Sequence, residues 1–286
     1  LKWAVLCSAY LVFGTLLYSY SRHLTNHILE SLMQLLLFYA LIKRFDNKTI
    51  KSILIGVSLS GLLAFDITYG AIAIPVTLVY LYWFDRKFFL EKFWHVAASA
   101  FPLTFMHFYI SYIQFGTLLP PQLFPEIYLS YEGSKWVGEV TGMEKQGHSL
   151  ATRFFNYTFG TYGFFLYQPL FILPFFTRKN WSNRNWYYVL SICILYISFN
   201  AIMQPNYGGS SFGPRRFLPL IPMFYYFVVS DIKLNNFKDK GGLWKISLYT
   251  LLFLNLIISI LGNVNPWENW NYFDGTEKSL YFPLLF

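Results

Sequence analysis

Long apolar blocks separated by short polar stretches make up most of this chain. The mostly apolar segments number nine: 3–18, 27–43, 51–66, 69–84, 94–113, 155–176, 186–204, 215–231 and 243–262. A run of about 20 apolar residues is long enough to cross a bilayer as a helix. Helix is the expected state because lipid cannot satisfy an open backbone. The pattern therefore predicts an all-α fold, a polytopic transmembrane helical bundle of about nine spans, with residues 1–286 forming a single transmembrane domain.

Composition strengthens the membrane assignment and argues against a soluble protein. The chain is 55% hydrophobic and 22% aromatic, and only 13% of its residues are charged, whereas soluble domains carry about 25%. Its two cysteines, Cys7 and Cys193, fall inside apolar segments at no spacing typical of a metal site or a disulfide framework.

The distribution of basic residues predicts the orientation of the chain. If Lys2 is cytoplasmic, the cytoplasmic loops hold 15 of the 22 Lys and Arg residues, and the outer side holds the other seven. Lys and Arg accumulate in cytoplasmic loops of membrane proteins. We therefore predict a multi-pass protein of the cell membrane, with the N-terminus of this chain cytoplasmic and its C-terminus outside. The net charge of +8 has this origin, and no nucleic-acid partner is expected.

The outer side carries the longer connections. One is a loop over 114–154, rich in Pro, Gly and Tyr, and the other is a C-terminal tail over 263–286. Loops of this length are usually functional or disordered. The stretch "PPQLFPEIYLSYEGSKW" is too aromatic for disorder, so we expect the loop to fold at the membrane interface.

The first candidate site is "YSYSRHLTNHILESL", residues 18–32, at a predicted outer helix end. Charged groups near hydrocarbon cost about 2.5–3.5 kcal/mol each, which makes them functional candidates. His27 and Glu30 are three residues apart and would share a helix face, while Arg22 could bind a phosphate through two nitrogens. Interfacial capping is the competing interpretation. A metal held by His23 and His27 is weaker, because no third ligand is evident.

The second candidate is Asp66 in "LLAFDITYG". A carboxylate at this position could cap the helix that follows. It could instead face a polar cavity and orient a sugar hydroxyl or an arginine. Both interpretations stay open at this point.

The third candidate is "NYGGSSFGPRRFLPLIPMF", in which Arg215 and Arg216 follow a glycine-rich turn. Pro214 suits a first helical turn, and glycines let the backbone approach a ligand closely. Two arginines at the positive end of a helix dipole are destabilising unless an anion or a carboxylate lies nearby. We therefore predict either a phosphate-bearing lipid headgroup or an internal acidic partner beside the arginines, with simple snorkelling as the competing interpretation. Tyr207 of the same turn is a further candidate for phosphate binding.

Motifs of nucleotide-using and soluble hydrolytic enzymes are missing from the sequence. We find no Walker loop, no GxSxG, no HExxH and no dinucleotide fingerprint. A cytoplasmic nucleotide-using site is therefore unsupported.

Several segments in order resemble one superfamily of membrane proteins. They include "GTLLYSYSRHLTNHILESLMQLLLFYALI", "GLLAFDITYGAIAIPVTLVYLYW", "YIQFGTLLPPQLFP", "GTYGFFLYQPLFILPFF" and the glycine-rich turn before Arg215. The chain resembles, over nearly its whole length, GT-C class glycosyltransferase-like membrane proteins, relatives of the protein mannosyltransferase and aminoarabinose transferase families.

The resemblance implies an enzyme that takes a sugar from a polyprenyl-phosphate carrier on the outer face. The partners would be that lipid-linked sugar and the bilayer, and the acceptor is not indicated. The polar residues that cluster on the predicted outer side are then the candidates for binding the substrate and its phosphate: Arg22, His27, Asp66, Tyr207, Arg215 and Arg216. No cofactor is predicted with certainty, and a divalent metal stays open.

The same resemblance leaves the catalytic residue unassigned. In the family a catalytic Asp usually lies in an outer loop after the first span, whereas the first span here runs in-to-out like the family's third. We therefore expect two spans and that carboxylate upstream of Leu1. The alternatives are a transporter or flippase of lipid-linked glycans, a polymerase or ligase of such glycans, and an inactive relative.

Overall fold

The described part of the protein is entirely helical. The computed structural model describes residues 2–21, 25–118, 149–203, 213–234 and 241–264. The α-helices are α1 (Lys2–Phe13), α2 (Leu16–Ser21), α3 (Asn26–Ile42), α4 (Lys48–Phe65), α5 (Ile67–Phe84), α6 (Arg86–Phe115), α7 (Leu150–Thr158), α8 (Phe164–Tyr167), α9 (Arg184–Met203), α10 (Ile221–Leu234) and α11 (Gly242–Val264). Shorter 3-10 segments cover Pro169–Phe176, Asn180–Ser182 and Arg215–Leu220. Within these ranges there is no strand, which confirms the all-α prediction.

Among the described residues, five helices are long and apolar enough to cross a membrane: α4, α5, α6, α9 and α11. Their length and composition make this a membrane protein, as the sequence predicts. Two further helices, α1 and α3, are apolar but shorter than 18 residues. The count of nine spans is therefore not confirmed.

The predicted span 155–176 differs most from a single membrane helix. α7 ends at Thr158, the four-residue α8 follows, and a 3-10 segment then runs from Pro169 to Phe176. Gly160 and Gly163 weaken the helix between α7 and α8. Pro169 and Pro174 cannot donate the backbone hydrogen bonds that a regular α-helix needs. Apolar composition alone does not reveal this interruption.

The chain forms two compact units. The first comprises residues 1–35 and 147–286, and the second comprises residues 36–146. The boundary falls within α3, and each unit has its own packing.

In the second unit, α4 packs closely along α6 at a small residue, Gly56. A Cβ at Gly56 would collide with the Ser99 hydroxyl and the Val96 carbonyl oxygen. The Ser99 hydroxyl also donates to the Ser52 carbonyl oxygen at 3.4 Å. Small residues allow such close approach between membrane helices, where van der Waals packing replaces the hydrophobic effect.

We expect Gly56→Leu to lower the free energy of unfolding by about 1–3 kcal/mol, because the larger side chain forces α4 and α6 apart. The loss should appear even though leucine has the higher helix propensity. Thermal unfolding of the purified protein in detergent measures it. The matched control is Gly242→Leu, since a Cβ at Gly242 meets no atom within 4 Å. Equal stability of the two variants would contradict this account of the packing.

The first unit has an aromatic core around Trp186 and Phe224. The Trp186 ring centroid lies 5.7 Å from that of Phe224, 5.1 Å from Phe175 and 4.9 Å from Phe227. Trp186 and Phe224 are fully buried. Phe171 stacks on Phe224 at 5.8 Å, so the 3-10 segment Pro169–Phe176 is held against α9 and α10 by aromatic contacts.

A buried asparagine in α11 joins three distant parts of the first unit. Asn255 Nδ2 donates to the Gly14 carbonyl oxygen at 3.2 Å and to Gln168 Oε1 at 2.8 Å. Asn255 Oδ1 accepts from the Leu170 backbone N–H at 3.1 Å. Both Gly14 and Gln168–Leu170 lie at interruptions of helix, where backbone groups need partners. Asn255 supplies those partners within the core.

Candidate functional site

A buried acid and a histidine begin α3. His27 Nδ1 and Glu30 Oε2 form a hydrogen bond of 3.0 Å, as the spacing of three residues predicts. Glu30 has no exposed surface and His27 is 8% exposed. The Ser31 hydroxyl donates to the His27 carbonyl oxygen at 2.6 Å. Since a buried carboxylate is costly unless it is paired, the hydrogen bond to His27 helps to hold Glu30 in place.

The arginine pair follows a glycine that no other residue could replace without strain. Gly213 has φ +71°, in the left-handed region that favours glycine. A Cβ there would lie 2.6 Å from the Tyr167 ring. The Gly213 backbone also hydrogen-bonds to the side chain of Tyr167. This turn therefore fixes where the chain enters the segment that carries Arg215 and Arg216.

Arg215 and Arg216 lie near the His27–Glu30 pair. Both guanidinium groups act electrostatically on His27. Both arginines are partly buried, and Arg216 Nη1 donates to Asn200 Oδ1 at 3.4 Å near the end of α9. The structure thus brings together His27, Arg215 and Arg216 from the predicted set.

The arginines do not begin an α-helix, which corrects part of the sequence argument. They open a six-residue 3-10 segment, Arg215–Leu220, with Pro214 before it and Pro219 inside it. α10 begins only at Ile221, because proline cannot supply the hydrogen bonds of a regular helix. The case for an anion therefore rests on the guanidinium groups and not on an α-helix dipole.

Arg153 also contacts the end of α9, although no sequence motif marks it as a site residue. Its Nη1 donates to the Ile202 carbonyl oxygen at 3.4 Å, two residues beyond the Asn200 that Arg216 contacts. Its Nε is buried and has no hydrogen-bond partner among the described residues. We call Arg215 and Arg216 the arginine cluster. The sequence feature that could have indicated Arg153 is its predicted position on the outer side of the membrane.

Asp66 belongs to the second unit and caps α5. Its Oδ1 accepts from the backbone N–H of Thr68 at 2.8 Å and of Tyr69 at 3.3 Å. Its own backbone N–H donates to the Leu62 carbonyl oxygen at 3.0 Å, which closes α4. The capping interpretation is confirmed, and the role in orienting a sugar stays a prediction.

We expect Asp66→Ala to lower the free energy of unfolding by about 1 kcal/mol, because two backbone N–H groups lose their acceptor. Asp66→Asn should stay within a few tenths of the wild-type value, since asparagine caps equally well. Chemical unfolding in detergent compares the three proteins. Transfer activity that falls in Asp66→Asn while stability is unchanged would add the sugar-orienting role, and a stable Asp66→Ala would contradict the cap.

Some of the predicted site residues lie outside the described part of the chain. They are Arg22, His23 and Tyr207, together with 119–148 of the long loop and 265–286 of the tail. The His23–His27 metal pair and the contribution of Tyr207 stay predictions. The described ends of the long loop are Gly116, which closes α6, and Ser149, whose hydroxyl accepts from the Thr152 N–H at 3.2 Å.

The arrangement is suited to binding an anion with several oxygens. Arginine nitrogens match phosphate and carboxylate oxygens in pairs, and a partly buried site strengthens the attraction. Comparisons with protein-family models, curated proteins and solved structures give no match for this chain. The resemblance described above therefore stays a prediction.

Proposed function

We propose that this protein is a membrane glycosyltransferase that moves a sugar from a polyprenyl-phosphate carrier to an acceptor on the outer face of the cell membrane. The observation that carries the proposal is the arginine cluster at the end of α9, with Arg215 and Arg216 acting on the buried His27. Two adjacent cations in an apolar bundle are costly unless an anion compensates them. The phosphate of a lipid carrier is an anion that reaches such a position from the bilayer.

The arginines would act on the leaving group. In the reaction, the bond between the sugar C1 and the phosphate oxygen breaks, and a bond from the acceptor to C1 forms. The acceptor proton passes to a base, and polyprenyl phosphate leaves with one more negative charge. Arginines already placed at that phosphate stabilise the developing charge without reorganisation. The base is not assigned to any described residue.

The His27–Glu30 pair would position this site. Glu30 is a buried acid that holds His27 by a 3.0 Å bond, and Arg215 and Arg216 lie within electrostatic reach of that histidine. This hydrogen-bonded pair beside the arginines would keep them ordered before the carrier binds. Such preorganisation lowers the cost of binding.

The membrane orientation predicted from the sequence supports a reaction on the outer face. The positive-inside pattern places the N-terminus of this chain in the cytoplasm and Arg153, Arg215 and Arg216 outside. A sugar donor carried by a lipid on that face requires no cytoplasmic nucleotide. This agrees with the lack of a nucleotide-binding motif in the sequence.

A transporter of lipid-linked glycans is the second candidate, and one observation favours it. The stretch from Gly160 to Phe176 interrupts a predicted span with a short helix and a 3-10 segment. Discontinuous helices are typical of the substrate sites of transporters. The arginine cluster would then bind the phosphate during translocation.

One assay separates the two candidates. Protein expressed from its full-length gene is reconstituted in liposomes with a labelled polyprenyl-phosphate sugar. If the protein is a transferase, we expect it to release polyprenyl phosphate together with labelled acceptor or labelled free sugar. Empty liposomes should release none of these products. Movement of the label across the bilayer without release would support the transporter and reject the transferase. Preference for a diphosphate-linked oligosaccharide would support the polymerase or ligase.

A further inference from the structure

The first unit contains an open groove whose lining residues do not include the arginine cluster. Its volume is about 600 Å³, and it lies between the 3-10 segment Pro169–Phe176 and the first turns of α11. One wall is apolar and includes Leu173, Phe176 and Leu251. Arg178 and Lys179 also line the groove and are exposed, so we call their side of it the mouth, and Trp244 is a further lining residue.

Hydrogen bonds fix the basic pair at the mouth. Asn180 directly follows Lys179 and is buried. Its Nδ2 donates to the Pro174 carbonyl oxygen at 2.9 Å and to Asp231 Oδ2 at 3.1 Å. Asn180 thereby anchors the turn that carries Arg178 and Lys179 to the 3-10 segment and to α10.

The two cations are available to a ligand. Arg178 and Lys179 are exposed, and neither forms a salt bridge within the described ranges of the chain. Phe176, next to them, is 81% exposed and lies on the apolar side of the mouth. An exposed apolar side chain, Phe176, therefore lies two residues before two exposed cations, Arg178 and Lys179, which form no salt bridge with any described residue.

We propose that this groove binds an anionic phospholipid. The headgroup phosphate would lie between Arg178 and Lys179, and an acyl chain would follow Leu173 and Leu251. Basic residues between membrane helices bind acidic headgroups, and tryptophan prefers the headgroup level, where Trp244 would lie. The positive-inside pattern places this end of the unit at the cytoplasmic leaflet, where anionic lipids attract juxtamembrane cations. The site is separate from the proposed transferase function.

Lipid titration of the purified full-length protein tests the proposal. Binding of phosphatidylglycerol is measured in detergent by native mass spectrometry, with phosphatidylcholine as the neutral comparison. We expect Arg178→Gln plus Lys179→Gln to weaken phosphatidylglycerol binding about 30-fold, since each cation near an anionic headgroup contributes about fivefold. The matched control is Arg86→Gln plus Lys87→Gln, another exposed Arg-Lys pair, which should bind like wild type.

Several outcomes would overturn it. Equal binding of the two lipids, or an equal loss in the control variant, would remove the headgroup assignment. Inorganic phosphate that competes at the same concentration as the lipid would indicate a free-anion site. Phe176→Ser keeps the cations and is tolerated because the ring is exposed; it should weaken lipid binding without changing phosphate binding, and unchanged lipid binding would contradict the apolar wall.

Discussion

Replacing Arg215 and Arg216 together by glutamine should lower the transfer rate by about 100- to 1000-fold. Glutamine keeps a polar side chain of similar reach but removes both charges. If the arginines stabilise the leaving phosphate, their loss should act on the transition state, and loss of a single such donor costs about this much. The measurement is kcat/KM for a labelled polyprenyl-phosphate sugar, with the full-length protein in liposomes.

Three further variants sharpen that result. Arg215→Lys plus Arg216→Lys keeps the charge and loses paired hydrogen bonding, so transfer should fall between wild type and the glutamine variant. Arg153→Gln should have a smaller effect, since Arg153 already contacts the Ile202 carbonyl oxygen. The control, Arg86→Gln plus Lys87→Gln, removes exposed charges of the second unit. Wild-type transfer by the glutamine pair at normal stability would reject the phosphate role.

Replacing Asn255 by leucine should lower the free energy of unfolding by about 3 kcal/mol or more. Leucine fills a similar volume but leaves the Gly14 carbonyl, the Gln168 side chain and the Leu170 N–H without their partner. Each buried polar group left unsatisfied costs about 1–3 kcal/mol. Thermal or denaturant unfolding in detergent measures the loss.

The same helix offers a control for Asn255. Leu254 is 41% exposed, so Leu254→Ala should change stability by less than about 1 kcal/mol. If Asn255→Leu is no less stable than Leu254→Ala, then the asparagine does not hold the interruptions near Gly14 and Gln168 together. A stabilised Asn255→Leu would show that lipid or packing satisfies those groups in another way.

Hydrophobic patterning predicts the regular helices well and the interrupted ones poorly. The segments 51–66, 69–84 and 186–204 agree closely with α4, α5 and α9, because a long apolar run in lipid has helix as its stable state. The segment 155–176 has the same apolar content. Its two glycines and two prolines act together with distant partners, above all Asn255, and local composition does not contain those contacts.

For the site residues too, local contacts are predictable from the sequence and long-range contacts are not. The pairing of His27 with Glu30 is local, so a spacing of three residues predicts it. Arg153 meets Ile202, which is 49 residues away, and no pattern around Arg153 indicates that meeting. A lone asparagine in the apolar run of α11 likewise carries no local sign that it has partners near residues 14 and 168. Long-range contacts of single polar residues are therefore what the sequence leaves unpredicted.

The division of the chain into units sets an order of events during synthesis. The second unit is continuous, residues 36–146, so its helices can pack as soon as α6 has been made. The first unit needs both flanks: Asn255 and Ser259 reach back 241 and 244 residues to Gly14 and Thr15. At a synthesis rate of roughly 5–20 residues per second, about 12–50 s pass between the synthesis of α1 and α2 and that of α11. Through that interval the Gly14 carbonyl oxygen lacks the Asn255 donor that satisfies it in the folded protein, so the first unit cannot complete its core until α11 has been made.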